Sequence, residues 1–216
     1  MLFRSASCTG QATITTVQDA TNPVGQFTSI AIGSDGLPVI SYRATNGQGQ
    51  PQLGIAKCDN AACSGGVTFS TIFTGGGNPE HSSIAIGSDG LPVISHRDFG
   101  LIVTKCANVA CTGQVTTTAV DRRGPDIGEY TSIAIGTDGM PVISYYDRSA
   151  GALKVAKCNN AACTGVVTIT TADDPSNNVG SFTSIAVGSD GLPVISYRDE
   201  TAGALKVAKC GTRSCQ

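Results

Sequence analysis

The sequence predicts an all-β fold, a β-propeller of four four-stranded blades, on three observations. The phrase SIAIGSDGLPVISYR, which starts at Ser29, returns with small changes from Ser83, Ser132 and Ser184. Its Asp-Gly glycine stands at Gly36, Gly90, Gly139 and Gly191, a repeat of about 50 residues; that suits a propeller blade and is too long for a leucine-rich or ankyrin unit. Each unit also divides into four short apolar–polar segments separated by turn residues, the pattern of antiparallel strands.

The fourth copy shows the elements in order. Its first strand is expected over 182–188, with Ile185 and Val187 on one face and Ser184 and Ala186 on the other. Asp190-Gly191 then supplies the positive φ angles of a tight hairpin turn. Pro193 opens the second strand, 194–198, at its first residue, where a missing N–H is tolerated. A loop over 199–203 leads to the third strand, 204–210, with Leu205 and Val207 on one face. The fourth strand is Thr-rich, as in 166–171, and suits an exposed edge. The repeats run over 27–72, 82–120, 130–172 and 182–210, and form a single domain. The last of them lacks a fourth strand. The chain opens instead with an orphan, Cys8-Thr9-Gly10-Gln11 followed by 12–17, which matches Cys111-Thr112-Gly113-Gln114 and the strand after it. Residues 12–17 are therefore expected to complete the last blade, in the same chain or in a neighbouring copy.

Composition narrows the function. The net charge is −2 with 14% charged residues; nothing resembles the basic stripe that nucleic acid requires. No apolar run approaches the ~18 residues of a membrane span, and no secretory signal is visible in the first residues. The nine cysteines nonetheless point outside the cell. Cys58/Cys63, Cys106/Cys111, Cys158/Cys163 and Cys210/Cys215 are C-x4-C pairs at one repeat position. Tetrahedral zinc needs two such pairs to meet in space, so disulfides across a turn between the third and fourth strands are expected, each stabilising by about 2 kcal/mol. At the seam two pairings stay open: Cys210 with Cys215, leaving Cys8 free, or Cys210 with Cys8.

Candidate sites are few. Arg43, Arg97 and Arg198 share a repeat position that Tyr146 takes in the third copy. Guanidinium groups converging on an axis could hold a carboxylate, whereas a structural role would pair them with the neighbouring Asp98, Asp147 or Asp199. The turn aspartates Asp35, Asp89, Asp138 and Asp190 offer one carboxylate each, far short of the 6–8 oxygens calcium takes. His81 and His96 read as loop or surface residues. No catalytic constellation, metal site or cofactor is expected.

The units, best seen in SIAIGTDGMPVISYYD (132–147) followed by ALKVAKC (152–158), resemble the "SIA…DG-P-ISYYD…LK-A" repeats of secreted bacterial and archaeal proteins. That resemblance implies a β-propeller; the C-x4-C pairs are an addition to it. The sialidase-type Asp-box is absent, since no Trp follows the Asp-Gly turns. The expectation that follows is a non-enzymatic extracellular structural protein that assembles with copies of itself, into filaments by strand exchange or through disulfides. Binding of surface glycans is the alternative, and a sialidase-like hydrolase a more distant one. The 5% aromatic content counts against sugar binding.

Overall fold

The structure, a computed structural model, describes residues 12–18, 23–72, 77–124, 126–174 and 178–216. All of its regular structure is β. The first sheet contains β1 (Gln26–Ile32), β2 (Pro38–Thr45), β3 (Pro51–Cys58) and β4 (Val67–Ile72). The second contains β5 (Glu80–Ile86), β6 (Pro92–Arg97), β7 (Leu101–Cys106) and β8 (Val115–Asp121). The third contains β9 (Ile127–Ile135), β10 (Pro141–Asp147), β11 (Ala152–Cys158) and β12 (Val167–Asp173). The fourth has three strands, β13 (Val179–Val187), β14 (Pro193–Asp199) and β15 (Ala204–Lys209). Strands within each sheet are sequential neighbours and antiparallel.

The first strands β1, β5, β9 and β13 touch one another in succession, which places them on the inside of the arrangement. The sheets are joined there by serines of the repeated phrase. The Ile84 N–H donates to Ser29 Oγ at 3.1 Å, Ile133 N–H to Ser83 Oγ at 3.2 Å and Ile185 N–H to Ser132 Oγ at 3.2 Å. Short side chains are needed because a larger one would hold the inner strands apart. Further out, the apolar face of the third strand in the first three sheets packs on the next sheet: Leu53 and Ile55 meet Ile84 and Ile94, Leu101 and Val103 meet Ile133, Ile143 and Tyr145, and Leu153 and Val155 meet Ile185 and Ile195. The core is therefore a series of aliphatic layers between sheets, built by removing apolar area from water.

The turn after each first strand differs in detail from the expected hairpin. Gly33 N–H and Leu37 O close a loop of five residues, and within it only Gly36 has positive φ, at 77°. Asp35 keeps an ordinary backbone, and its side chain accepts the Leu37 N–H at 3.0 Å. The aspartate thus acts through its carboxylate and leaves the left-handed conformation to glycine. The same carboxylates take the repeat lysines: Lys57–Asp35 and Lys105–Asp89 at 2.9 Å, Lys157–Asp138 at 3.0 Å and Lys209–Asp190 at 2.7 Å.

Four disulfides are present among the described residues, Cys58–Cys63, Cys106–Cys111, Cys158–Cys163 and Cys210–Cys215. Each joins the end of a third strand to the turn beyond it. At the seam this selects the standard spacing; Cys8 lies outside the described residues.

Residues 12–17 do not pair with the fourth sheet within this chain. They form no strand, and the fourth sheet ends at β15 with three strands. The segment lies on the first sheet instead. Val17 packs with Val24, Ile40, Tyr42 and Ala56, and Tyr42 Oη donates to Gln18 Oε1 at 2.6 Å. A buried hydroxyl needs an acceptor, and Gln18 supplies it at this place.

Candidate functional site

Every inner strand carries a β-bulge at the same repeat position, and β9 and β13 carry a second one. Pairing with the second strand slips between Gln26 and Ser29, Glu80 and Ser83, and Ser181 and Ser184, and near Tyr146 in the third sheet. Two residues then face one on the partner strand, and the first of them takes a left-handed backbone. Those residues are Phe27, His81, Tyr130 and Phe182, with φ of 52°, 53°, 51° and 53°. A bulky residue with positive φ is costly, on the order of 1–2 kcal/mol. Its recurrence in every sheet marks a site where aiming the side chain outweighs strain.

The four rings form one row. Centroids lie 4.6 Å apart for Phe27–His81, 4.5 Å for His81–Tyr130 and 4.3 Å for Tyr130–Phe182. All three pairs are tilted, the geometry aromatic quadrupoles favour. Phe27 is 36% exposed and Phe182 58%, so both ends of the row offer apolar surface to water. Burial lowers the His81 pKa, with Glu80 opposing and Arg97 reinforcing the shift. The ring is therefore neutral at neutral pH and stacks as a flat, largely apolar surface.

Beside the row lies a polar rim made by the residues flanking each bulge. Gln26, Glu80, Glu129 and Ser181 stand opposite Arg43, Arg97, Tyr146 and Arg198. The structure thus gives the four proposed ligand residues one common position, where each arginine has acceptors of its own. Arg43 donates to Gln26 Oε1 at 2.5 Å. Arg97 bonds Glu80 at 3.1 Å and Asp126 at 3.3 Å. Arg198 bonds Glu200 at 3.0 Å. Of the neighbouring aspartates, Asp147 holds Lys154 and Asp199 lies 3.6 Å from Lys206. The bulge brings a different set of acceptors within reach, which the one-dimensional spacing did not reveal.

Between the third and fourth sheets this rim opens into a cleft of about 270 Å³, lined by Glu129, Tyr130, Tyr146, Arg148, Asn178 and Glu200. Arg148 lies 3.7 Å from Glu129, Tyr146 Oη donates to Asn178 Oδ1, and Ser181 Oγ donates to Glu200 at 2.5 Å. Burial first, then the charges of Glu129 and Glu200, raise the Tyr130 pKa. Its hydroxyl stays protonated and can donate to a ligand. An aromatic face beside carboxylates, a guanidinium and an amide suits a small molecule with an apolar side and several hydroxyls.

Sequence reasoning missed both histidines. His81 belongs to the aromatic row, and His96 is fully buried, with neither ring nitrogen hydrogen-bonded to a described residue. His96 takes the place held by Tyr42, Tyr145 and Tyr197 in the other repeats. Among the described residues no group of three or more metal-ligating side chains exists.

No family model matches the chain, and no curated protein matches it. Solved structures do. A protein of unknown function from Dyadobacter fermentans superposes with a TM-score of 0.67 at 15% identity, over 87% of this chain and 53% of that one. The α-L-arabinofuranosidase PaAbf62A from Podospora anserina gives 0.57 at 11% identity, over 87% and 64%. A sialidase from Trypanosoma rangeli gives 0.59 at 14% identity, over 82% and 29%. The chain spans about half the length of the first of these. At such identities the likeness establishes the fold, a β-propeller arrangement. The expectation of a self-assembling structural protein is corrected here: the fold is shared with glycoside hydrolases, and no feature of the comparisons carries assembly.

Proposed function

We propose that this chain is a non-catalytic carbohydrate-binding propeller that works outside the cell. The observation that carries the reading is the row Phe27–His81–Tyr130–Phe182 alongside the polar rim. Sugar rings present a C–H face that packs on aromatic side chains and hydroxyls that bond carboxylates, amides and guanidinium groups. The overall aromatic content is low, yet the bulges bring one ring from every sheet into a single row. The glycoside hydrolases among the fold's neighbours support the ligand class by analogy only. Binding is favoured over hydrolysis because the carboxylates of the rim are engaged by arginines or by Ser181, whereas a glycosidase needs one carboxyl group that delivers a proton. The four disulfides suit an oxidising compartment, in line with the secreted repeat proteins the sequence resembles.

The test is a glycan array followed by calorimetry on the intact chain. Binding of a saccharide, weakened at least about tenfold by Tyr130→Ala and with no release of reducing ends, is the expected result. Absence of any retained glycan removes the binding reading. Release of reducing ends that Glu129→Gln abolishes makes the protein an enzyme instead.

A further inference from the structure

The two ends of the sheet series expose the same residues that the inner junctions bury. Leu53, Leu101 and Leu153 are 0–1% exposed, but their counterpart Leu205 is 81% exposed. Ile55, Val103 and Val155 are fully buried, but Val207 is 62% exposed. At the other end Ile30 is 61% exposed, while Ile84, Ile133 and Ile185 are 6–8% exposed. Ser184 is exposed where Ser29, Ser83 and Ser132 each receive the next sheet's isoleucine N–H. The fourth sheet thus presents a Leu-x-Val ridge on which none of the described residues packs. The first presents an apolar hollow of about 300 Å³, lined by Val17, Val24, Ile40, Tyr42, Ala56 and Phe69.

Residues 12–18 show what fits between them. Tyr145 donates to Asp121 at the end of β8, 2.7 Å away, and Tyr197 to Asp173 at the end of β12, 2.6 Å away. Each is a tyrosine reaching the outer strand of the preceding sheet. Tyr42 makes the same bond to Gln18 at 2.6 Å, and Gln18 follows the CTGQ lead-in at the position Asp121 holds. The segment 12–18 therefore lies against the first sheet in the place that the outer strand of a preceding sheet takes in the other repeats.

We infer that the space between the fourth and first sheets is a docking site for one more unit of this same repeat chemistry. Its occupant brings a Thr-rich strand to the open edge of β15. It also brings three strands that cover Leu205 and Val207 on one side, fill the hollow at Ile40 and Tyr42 on the other, and pair with residues 12–17. The three junctions inside the chain are the pattern for both contacts, and the inference stands apart from the carbohydrate reading.

The probe is a polypeptide with the sequence of residues 164–210, which contains an outer strand followed by three inner ones. Hydrogen exchange and native mass spectrometry on the full chain, alone and with the probe, read the result. A one-to-one complex is expected, with amides of 12–17 and 204–209 slowed at least about a hundredfold, and lost on Leu205→Asp with Val207→Asp. Should the probe not fold, the chain extended after Gln216 by the same residues is expected to melt higher and to protect 12–17. Protection of both segments in the monomeric chain alone would show closure by its own ends, and concentration-dependent protection would seat a second copy there. Either result overturns the inference, as does an extended chain without added protection.

Discussion

His96 is a buried imidazole in a slot where the other repeats place tyrosine. Burial alone lowers its pKa to about 4 from the ordinary 6.5. Between those values the unfolded chain takes up a proton that the folded chain refuses. Stability is full above pH 6.5 and falls as the pH drops towards 4, by about 3 kcal/mol at one pKa unit per 1.36 kcal/mol. His81 acts in the same direction, its pKa also being lowered, first by burial. Urea titrations at pH 7 and pH 4.5 check this, and His96→Phe should remove most of the difference. If the wild type keeps its midpoint, the imidazole is not enclosed as described. Asp121 is buried but keeps its charge. Its side chain is fully buried beneath Arg123, and bonds from Arg123 and Tyr145 outweigh burial, so its pKa is lowered. Tyr145→Phe removes a buried donor to a charged acceptor and should cost about 1–3 kcal/mol, read as a lower denaturation midpoint.

Among the elements, the bulge and the disulfide turn have different tasks. The bulge turns one aromatic residue per inner strand towards its neighbours, so deleting Thr28, beside Phe27, should restore regular pairing and take that ring out of the row. The loss of one stacked ring is expected to lower saccharide affinity while circular dichroism stays unchanged. Cys63, Cys111, Cys163 and Cys215 each have positive φ, between 51° and 57°, so the turn holds a conformation that glycine would prefer and the disulfide fastens it. Replacing Cys158 and Cys163 together by serine should cost about 2 kcal/mol, measured by thermal melting. The strand register was readable in advance because side chains alternate and a slip would turn Ile133 and Ile135 outwards. The bulge was not readable, since Phe27, His81, Tyr130 and Phe182 share a ring and a distance from the SIA phrase, and neither announces a left-handed backbone.

For the whole molecule, one residue at two equivalent places has two costs. Leu153 is fully buried against the fourth sheet, and Leu205 is 81% exposed. Leu153→Ala should destabilise by about 2–5 kcal/mol through lost burial and a cavity. Leu205→Ala should fall within about 0.5 kcal/mol of the parent. Equal effects in chemical denaturation would mean that β15 is covered in solution.

Read alone, the amino-acid sequence determined whatever repeats locally. The period, the β content, the division into four units and the C-x4-C bridges each follow from residues close together in the chain. Tertiary structure decided what depends on contacts between units. Residues 12–17 carry the signature of an outer strand wherever they go, and only packing against Tyr42 puts them on the first sheet. Arg97 reaches Glu80 and Asp126, which stand 17 and 29 residues away in the chain. Leu205 reads the same as Leu153, and burial separates them only because a fourth sheet follows the third. Local patterns choose strands, but a side chain's partner is set by the sheet that lies over it, which no single repeat encodes.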